Sequence, residues 1–186
     1  MESENYVNLK LDSVFKSFFS NPTNEPLLID FLSSILDIPK SEITDIKVKS
    51  NEPAIETLKD KFSRLDLNMS VSGKNVNIEM QVEYEDAYKE RAVYYWSKLY
   101  TGLKEGENYG DIPETIAIHI LNCNLFNCEE YQSSFRFYEE KRHELLTNKC
   151  AIHFFELNHI LKGCCLFLAV CIFIYNKAAP KRRLIT

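Results

Sequence analysis

The sequence predicts an α/β domain, a mixed β-sheet flanked by helices, and three stretches predict it. Phe62 to Val82 holds two apolar/polar alternating runs around Ser72-Gly73-Lys74-Asn75, the pattern of an antiparallel hairpin. Thr115 to Leu121 (TIAIHIL) is almost wholly apolar, as suits a central strand covered on both faces. Asn8 to Leu36 and Glu83 to Gly102 carry apolar residues at helical spacing. The 186 residues, 45% hydrophobic and 26% charged, suffice for one domain with a sizeable core and would crowd two.

In chain order, Leu11, Val14, Phe15, Phe18 and Phe19 form a helical stripe, with Asp12 and Lys16 four apart on the other side. After the turn Asn21-Pro22-Thr23-Asn24, a second helix is predicted, capped by Asn24. Its buried stripe is Leu27, Leu28, Phe31, Leu32, Ile35 and Leu36. Ile43 to Lys49 alternates enough to be a strand, and Ser50 to Asp60 is a loop leading into the hairpin. From Glu83 some twenty residues lack Pro and Gly, which predicts a long helix with Tyr84, Tyr88, Arg91, Tyr95 and Lys98 on one side. An Arg on an aromatic helix face needs an anionic partner, which a carboxylate or a phosphate can supply. Phe135 to Glu139 and Ala151 to Leu157 are expected to be two further strands, joined by the charged turn or short helix EEKRHELL.

The formal net charge of −5 argues against bulk electrostatic capture of nucleic acid, so any such contact needs a local patch. Six cysteines lack a CxxC pair, and the N-terminus MESENYVNLK is polar, so a reduced, cytoplasmic protein with buried free thiols is expected. Cys123 and Cys128 with His119 fit no standard zinc spacing, and His119 reads as a core or edge histidine.

Chemistry concentrates on the hairpin. Its apolar residues share one face, which leaves Arg64, Asp66 and Asn68 on the other face of the first strand and Asn77, Glu79 and Gln81 on that of the second. With neighbouring strands about 5 Å apart, one cation can touch the carboxylates of both Asp66 and Glu79. A solvated polar face carries the same pattern. Lys59, Lys61 and Arg64 add positive charge beside these carboxylates.

The run RLDLNMSVSGKNVNIEMQ, with Asp66, Glu79 and Gln81, resembles the PD-(D/E)XK nuclease core in the form found in Rpn-type recombination-promoting nucleases and transposases. LKLDSVFKSFF, FLSSIL, DKFSRLD, RAVYYWSKLYTGLKEGENYGDIPETIAIHIL and HFFEL extend the resemblance, in order, from about Leu9 to Leu157. It implies a restriction-endonuclease-like fold over residues 1–160 and a metal-dependent DNA endonuclease. Asp66, Glu79 and the Met80 backbone carbonyl would hold Mg²⁺, with Mn²⁺ or Ca²⁺ as alternatives, and Gln81 would join Asp66 and Glu79 as a catalytic residue. Lys16, Lys61, Arg64 and Arg91 become candidates for phosphate contacts, and Asp12 for an accessory acid. DNA is the expected partner, a homodimer is a further option, and no stable membrane span is expected. Gln81 stands where the wider superfamily has Lys, and an amide supplies no positive charge. A degenerate, catalytically silent copy that binds DNA or protein is therefore the alternative.

The resemblance fades where residues 161–186 begin. Cys164 to Tyr175 is apolar throughout and the end is basic, unlike the amphipathic helices the family continues with, which suggests a truncated or frame-shifted tail. Twelve apolar residues are too few to span a bilayer, which takes about 20. Deleting residues 163–186 is expected to raise solubility and leave the metal site competent. An insoluble product, or one without a cooperative melt, would show that the tail belongs to the fold.

Overall fold

The computed structural model describes residues 18–49, 67–81, 83–101 and 106–160. The proposed helix upstream of Phe18, the loop of residues 50–60, Gly102 and the apolar tail lie outside them. The described chain forms one mixed six-stranded sheet: β1 (Lys47–Val48), β2 (Leu67–Val71), β3 (Lys74–Gln81), β4 (Thr115–Leu121), β5 (Gln132–Phe135) and β6 (Cys150–Glu156). The helices are α1 (Glu25–Leu36), α2 (Tyr88–Tyr100) and the single turn α3 (Leu157–Ile160).

Strand order is β1-β2-β3-β4-β6-β5. The ladders β1/β2, β2/β3 and β5/β6 are antiparallel, whereas β3/β4 and β4/β6 are parallel. Helix α2 lies in the connection between the parallel strands β3 and β4, as a βαβ unit requires. Every residue of β4 is buried, the consequence of parallel neighbours on both sides and cover on both faces.

One face is purely apolar. Leu28, Phe31, Leu32 and Ile35 of α1 pack with Phe19 and Ile43 onto Leu67, Met69, Val71, Val76, Ile78, Met80, Ile116, Ile118 and Ile120. The other face carries Tyr88, Ala92 and Trp96 of α2 against Ala117, Leu121, Cys150, Ile152 and Phe154. The Trp96 Nε1 donates to the Thr115 carbonyl at 2.9 Å and so fixes α2 along β4. Among the described residues, no helix is long and apolar enough to cross a membrane.

Several boundaries differ from the sequence expectation for local reasons. The hairpin turn is only Ser72-Gly73, with φ of +50° and +77°, the positive pair that a two-residue turn matched to strand twist needs. Ser72 bears this conformation because its Oγ donates to the Glu42 carbonyl (2.8 Å) and accepts from the Thr44 N–H (3.0 Å). Those bonds occupy the segment expected to be a strand from Ile43, so β1 shrinks to two residues. Asn24 makes no capping bond with its side chain, which donates to the Phe18 carbonyl; Asn21 Oδ1 instead accepts from the Thr23 N–H in a short 3-10 turn. The long helix starts at Tyr88, behind Ala87 in the left-handed region at φ +59°, and not at Glu83. β5 ends at Phe135 instead of starting there, and EEKRHELL forms turns closed by a Tyr138–Leu145 bridge without a helix.

Ile118 has no exposure and sits mid-sheet, so Ile118→Ala is expected to cost about 2–5 kcal/mol of unfolding free energy, read from the urea midpoint. A loss below about 1 kcal/mol would contradict the two-sided burial of β4.

Candidate active site

Alternation along β3 sends Val76, Ile78 and Met80 into the apolar core and turns Asn77, Glu79 and Gln81 toward the α2 face. Asn68 of β2 lies directly opposite Asn77. Glu79 is only 3% exposed and Asn77 1%, so this is no solvated polar face. An isolated carboxylate in such a place costs several kcal/mol, and polar atoms around it must offset that.

Three neighbours are visible. The Asn77 Nδ2 donates to Glu79 Oε1 at 3.4 Å. His119, the register partner of Glu79 on β4, brings Nδ1 to 3.6 Å from Glu79 Oε2. Arg91, from α2, is half-buried, ion-paired with Glu85 and within electrostatic range of Glu79. Its guanidinium also lies over the rings of Tyr88 (5.5 Å) and Tyr95 (5.6 Å), one helical turn to either side. Burial pushes the Arg91 pKa down, but Glu79, Glu85 and the two tyrosines outweigh it and raise the pKa above its ordinary value.

His119 has no exposure, and Tyr88 Oη lies 3.1 Å from its Nδ1. The imidazole stacks on Phe154 with centroids 4.9 Å apart. Burial, and then the Arg91 charge, lower its pKa to about 3. The ring is therefore neutral near pH 7, and its approach to Glu79 is a dipolar contact beyond hydrogen-bond reach, not an ion pair. If Tyr88 donates to Nδ1, the ring proton sits on Nε2, which has no hydrogen-bond partner.

Of the residues singled out in the sequence, the structure brings Glu79, Met80, Gln81 and Arg91 to the same end of β3 and α2. The Met80 side chain belongs to the opposite, apolar face. Gln81 is half-buried, and its Nε2 donates to the Glu83 carbonyl at 2.8 Å. Asp66, Asp12, Lys16, Lys61 and Arg64 lie outside the described residues; Asp66 comes one residue before β2 begins. Tyr88 and His119 were not singled out as site residues, because their place depends on the parallel β3/β4 pairing, for which the sequence carries no local signal. Cys123 and Cys128 are half-buried free thiols and Cys150 is buried.

The donor atoms suit a hard cation. Among the described residues, no group of three or more His, Cys, Asp or Glu side chains is placed to hold a metal. On the same sheet face as Glu79, however, the buried Oδ1 atoms of Asn77 and of its ladder partner Asn68 have no hydrogen-bond partner. Oxygen donors of this kind fit Mg²⁺, Mn²⁺ or Ca²⁺ far better than zinc.

A six-stranded mixed sheet with helices packed on it and a buried carboxylate, Glu79, on one face is consistent with a PD-(D/E)XK nuclease fold. The family model described as PD-(D/E)XK nuclease family transposase matches residues 9–163, most of the chain, and the chain belongs to that family. No curated protein and no solved structure matches it.

The neutral His119 gives a pH prediction. Its pKa is about 6.5 unfolded and about 3 folded, so between these values the unfolded chain binds the extra proton. This contribution to stability is complete above pH 6.5 and is lost as pH falls toward 3. His153, lowered to about 4 mainly by burial, adds in the same direction. Thermal melts of His119→Gln are expected to show a shallower loss of stability with acid than the parent; equal slopes would exclude a buried neutral ring.

Proposed function

We propose that this chain is a divalent-cation-dependent DNA endonuclease hydrolysing phosphodiester bonds, with its site at Glu79. Membership of a nuclease-type transposase family supports nuclease chemistry. The observation that carries the finer reading is the almost wholly buried Glu79 carboxylate on a sheet face with two buried amide oxygens, of Asn77 and Asn68, that have no hydrogen-bond partner. Asp66 supplies the second carboxylate in this reading. It immediately precedes Leu67, whose ladder partner Ile78 immediately precedes Glu79.

Asp66, Glu79 and the Met80 backbone carbonyl would hold the cation, with Asn77 able to turn its amide oxygen toward it. The chemistry supplied there is Lewis-acid activation of a water and of the scissile phosphate. Arg91 keeps its charge at all working pH values and can neutralise a phosphate oxygen, the task an amide at position 81 cannot perform. Gln81 can orient the attacking water or a phosphate oxygen by hydrogen bonding. Lys16, Lys61 and Arg64 would contact flanking phosphates, and Asp12 would serve as an accessory acid.

One observation favours a second reading, a catalytically silent copy that binds DNA or a partner protein. The Gln81 amide, at the position where the wider superfamily has Lys, is engaged by the Glu83 carbonyl.

Asp66→Ala and Glu79→Ala are each expected to abolish Mg²⁺-dependent nicking of plasmid DNA while leaving the circular dichroism spectrum unchanged. Retained nicking in both would misplace the site. Calorimetric titration with Mg²⁺ or Mn²⁺ separates the two readings: a live site binds saturably and loses binding in Asp66→Asn, and a silent one shows no saturable binding.

A further inference from the structure

Helix α2 has a second flank. Tyr88, Arg91 and Tyr95 point toward the Glu79 side, whereas Lys89, Val93 and Trp96, at i, i+4 and i+7, border a separate cleft of about 280 Å³. Its floor is β6, with Ile152 and Phe154, and its far wall is formed by Phe126, Phe135 and Phe137. The walls are rings arranged on one another. Phe126 stacks on Phe135 at 5.4 Å, both meet Phe154 edge-on at 5.2 and 5.7 Å, and Phe137 meets Trp96 at 5.5 Å. Phe135, Phe137 and Val93 remain 46%, 45% and 49% exposed, so the cleft opens to solvent.

Charge at this opening has one sign. Lys89 Nζ sits 4.6 Å over the Phe126 ring and Arg136 lies in the lining, while among the described residues no carboxylate lines the cleft, in a chain whose net charge is −5. Ring faces for stacking combined with two cations select a flat aromatic group carried on an anionic chain. An aliphatic or helical partner would use neither feature, and the volume is at the low end for a ligand pocket, enough for one ring system.

The cleft lies near the candidate active site, across α2 from it. Glu79, His119 and Phe154 are register partners on three adjacent strands, so the floor lies roughly 10 Å from the carboxylate, at about 5 Å per strand. A stacked DNA strand rises about 3.4 Å per nucleotide, so a few nucleotides bridge that distance.

We propose that this cleft receives an unstacked nucleobase of a DNA strand held at the Glu79 site, with Lys89 and Arg136 on its flanking phosphates. The choice of DNA rests on the nuclease reading.

Trp96 is the chain's one tryptophan, which makes its fluorescence a reporter of this cleft. With full-length protein in EDTA, single-stranded oligothymidylate of about ten nucleotides is expected to quench it, and an abasic strand or a duplex of the same length is not. By fluorescence anisotropy of the labelled strand, Phe135→Ala and Phe137→Ala, both at half-exposed positions, are each expected to weaken binding about tenfold. Lys89→Ala is expected to weaken it and flatten its salt dependence. Equal quenching by the abasic strand, unchanged affinity in both Phe variants, or quenching that follows protein concentration alone, as a second copy in the cleft would give, overturns the proposal. Cation is absent throughout, so the two readings fail separately. Base-dependent quenching without any Mg²⁺-dependent nicking counts against the nuclease, and nicking without base-dependent quenching counts against the cleft.

Discussion

The side-by-side parallel alignment of β3, β4 and β6 is the constraint on which the rest depends. Parallel strands need cover on both faces, and here α1 and α2 provide it. The polar side chains in the middle of these strands are thereby taken out of water and depend on protein atoms for their hydrogen bonds. Asn77, Glu79, Thr115, His119 and Glu156 are all in that position. Each solution fixes geometry: His119 is held between Tyr88 and Phe154, and Glu156 Oε1 accepts the backbone N–H groups of Leu125 and Phe126. Polar groups in this interior therefore have little freedom, which is the condition for holding a carboxylate ready for a cation without rearrangement.

Helix α2 divides one face of that sheet into two environments of opposite character. On one side the row is amide-rich around the buried carboxylate Glu79, with Arg91 as its cation; on the other it is aromatic, with Lys89 and Arg136. A single helix accomplishes this because residues at i and i+3 or i+4 share a flank, so two interleaved sets read two different grooves. The Trp96 bond to the Thr115 carbonyl and the buried Tyr88 hold the ridge in register with both. The loop carrying Phe126 is tied by Glu156 to the end of β6, so the aromatic wall is positioned by a carboxylate as well as by ring packing.

How much of this was legible in the sequence depended on how local each determinant is. The hairpin faces, the centre of the α1 stripe (Leu28, Phe31, Leu32 and Ile35) and the bounds of β4 follow from periodicity within a few residues and agree with the structure, whereas Leu27 and Leu36 of that stripe are only half-buried. The start of α2 at Tyr88 did not follow, because Glu83 to Asp86 has helix-compatible composition and only the left-handed Ala87 sets the boundary. β5 was displaced because its pairing with β6, Gln132 opposite Phe155, outweighs the aromatic spacing of Phe135 to Glu139. His119 was read as a core residue, and it is buried, but its neighbours are Glu79 and Phe154, 40 and 35 positions away. No spacing rule reaches a partner chosen by parallel register. The aromatic cleft is hidden in the same way, since its walls come from α2, β5, β6 and the segments on either side of β5.

The strand lengths carry a consequence for life at high concentration. The long strands β3, β4 and β6 are interior, while the rims among the described residues are β1, two exposed residues including Lys47, and β5, whose Gln132, Ser134 and Phe135 are exposed. Among the described residues, an approaching strand from another molecule meets only a few free backbone groups on either rim, with polar side chains beside them. Open sheets are prone to grow by edge-to-edge addition into aggregates, and short, polar rims interrupt that growth at its first step. Crowding the longest strands into the middle of the sheet thus guards against amyloid-like propagation.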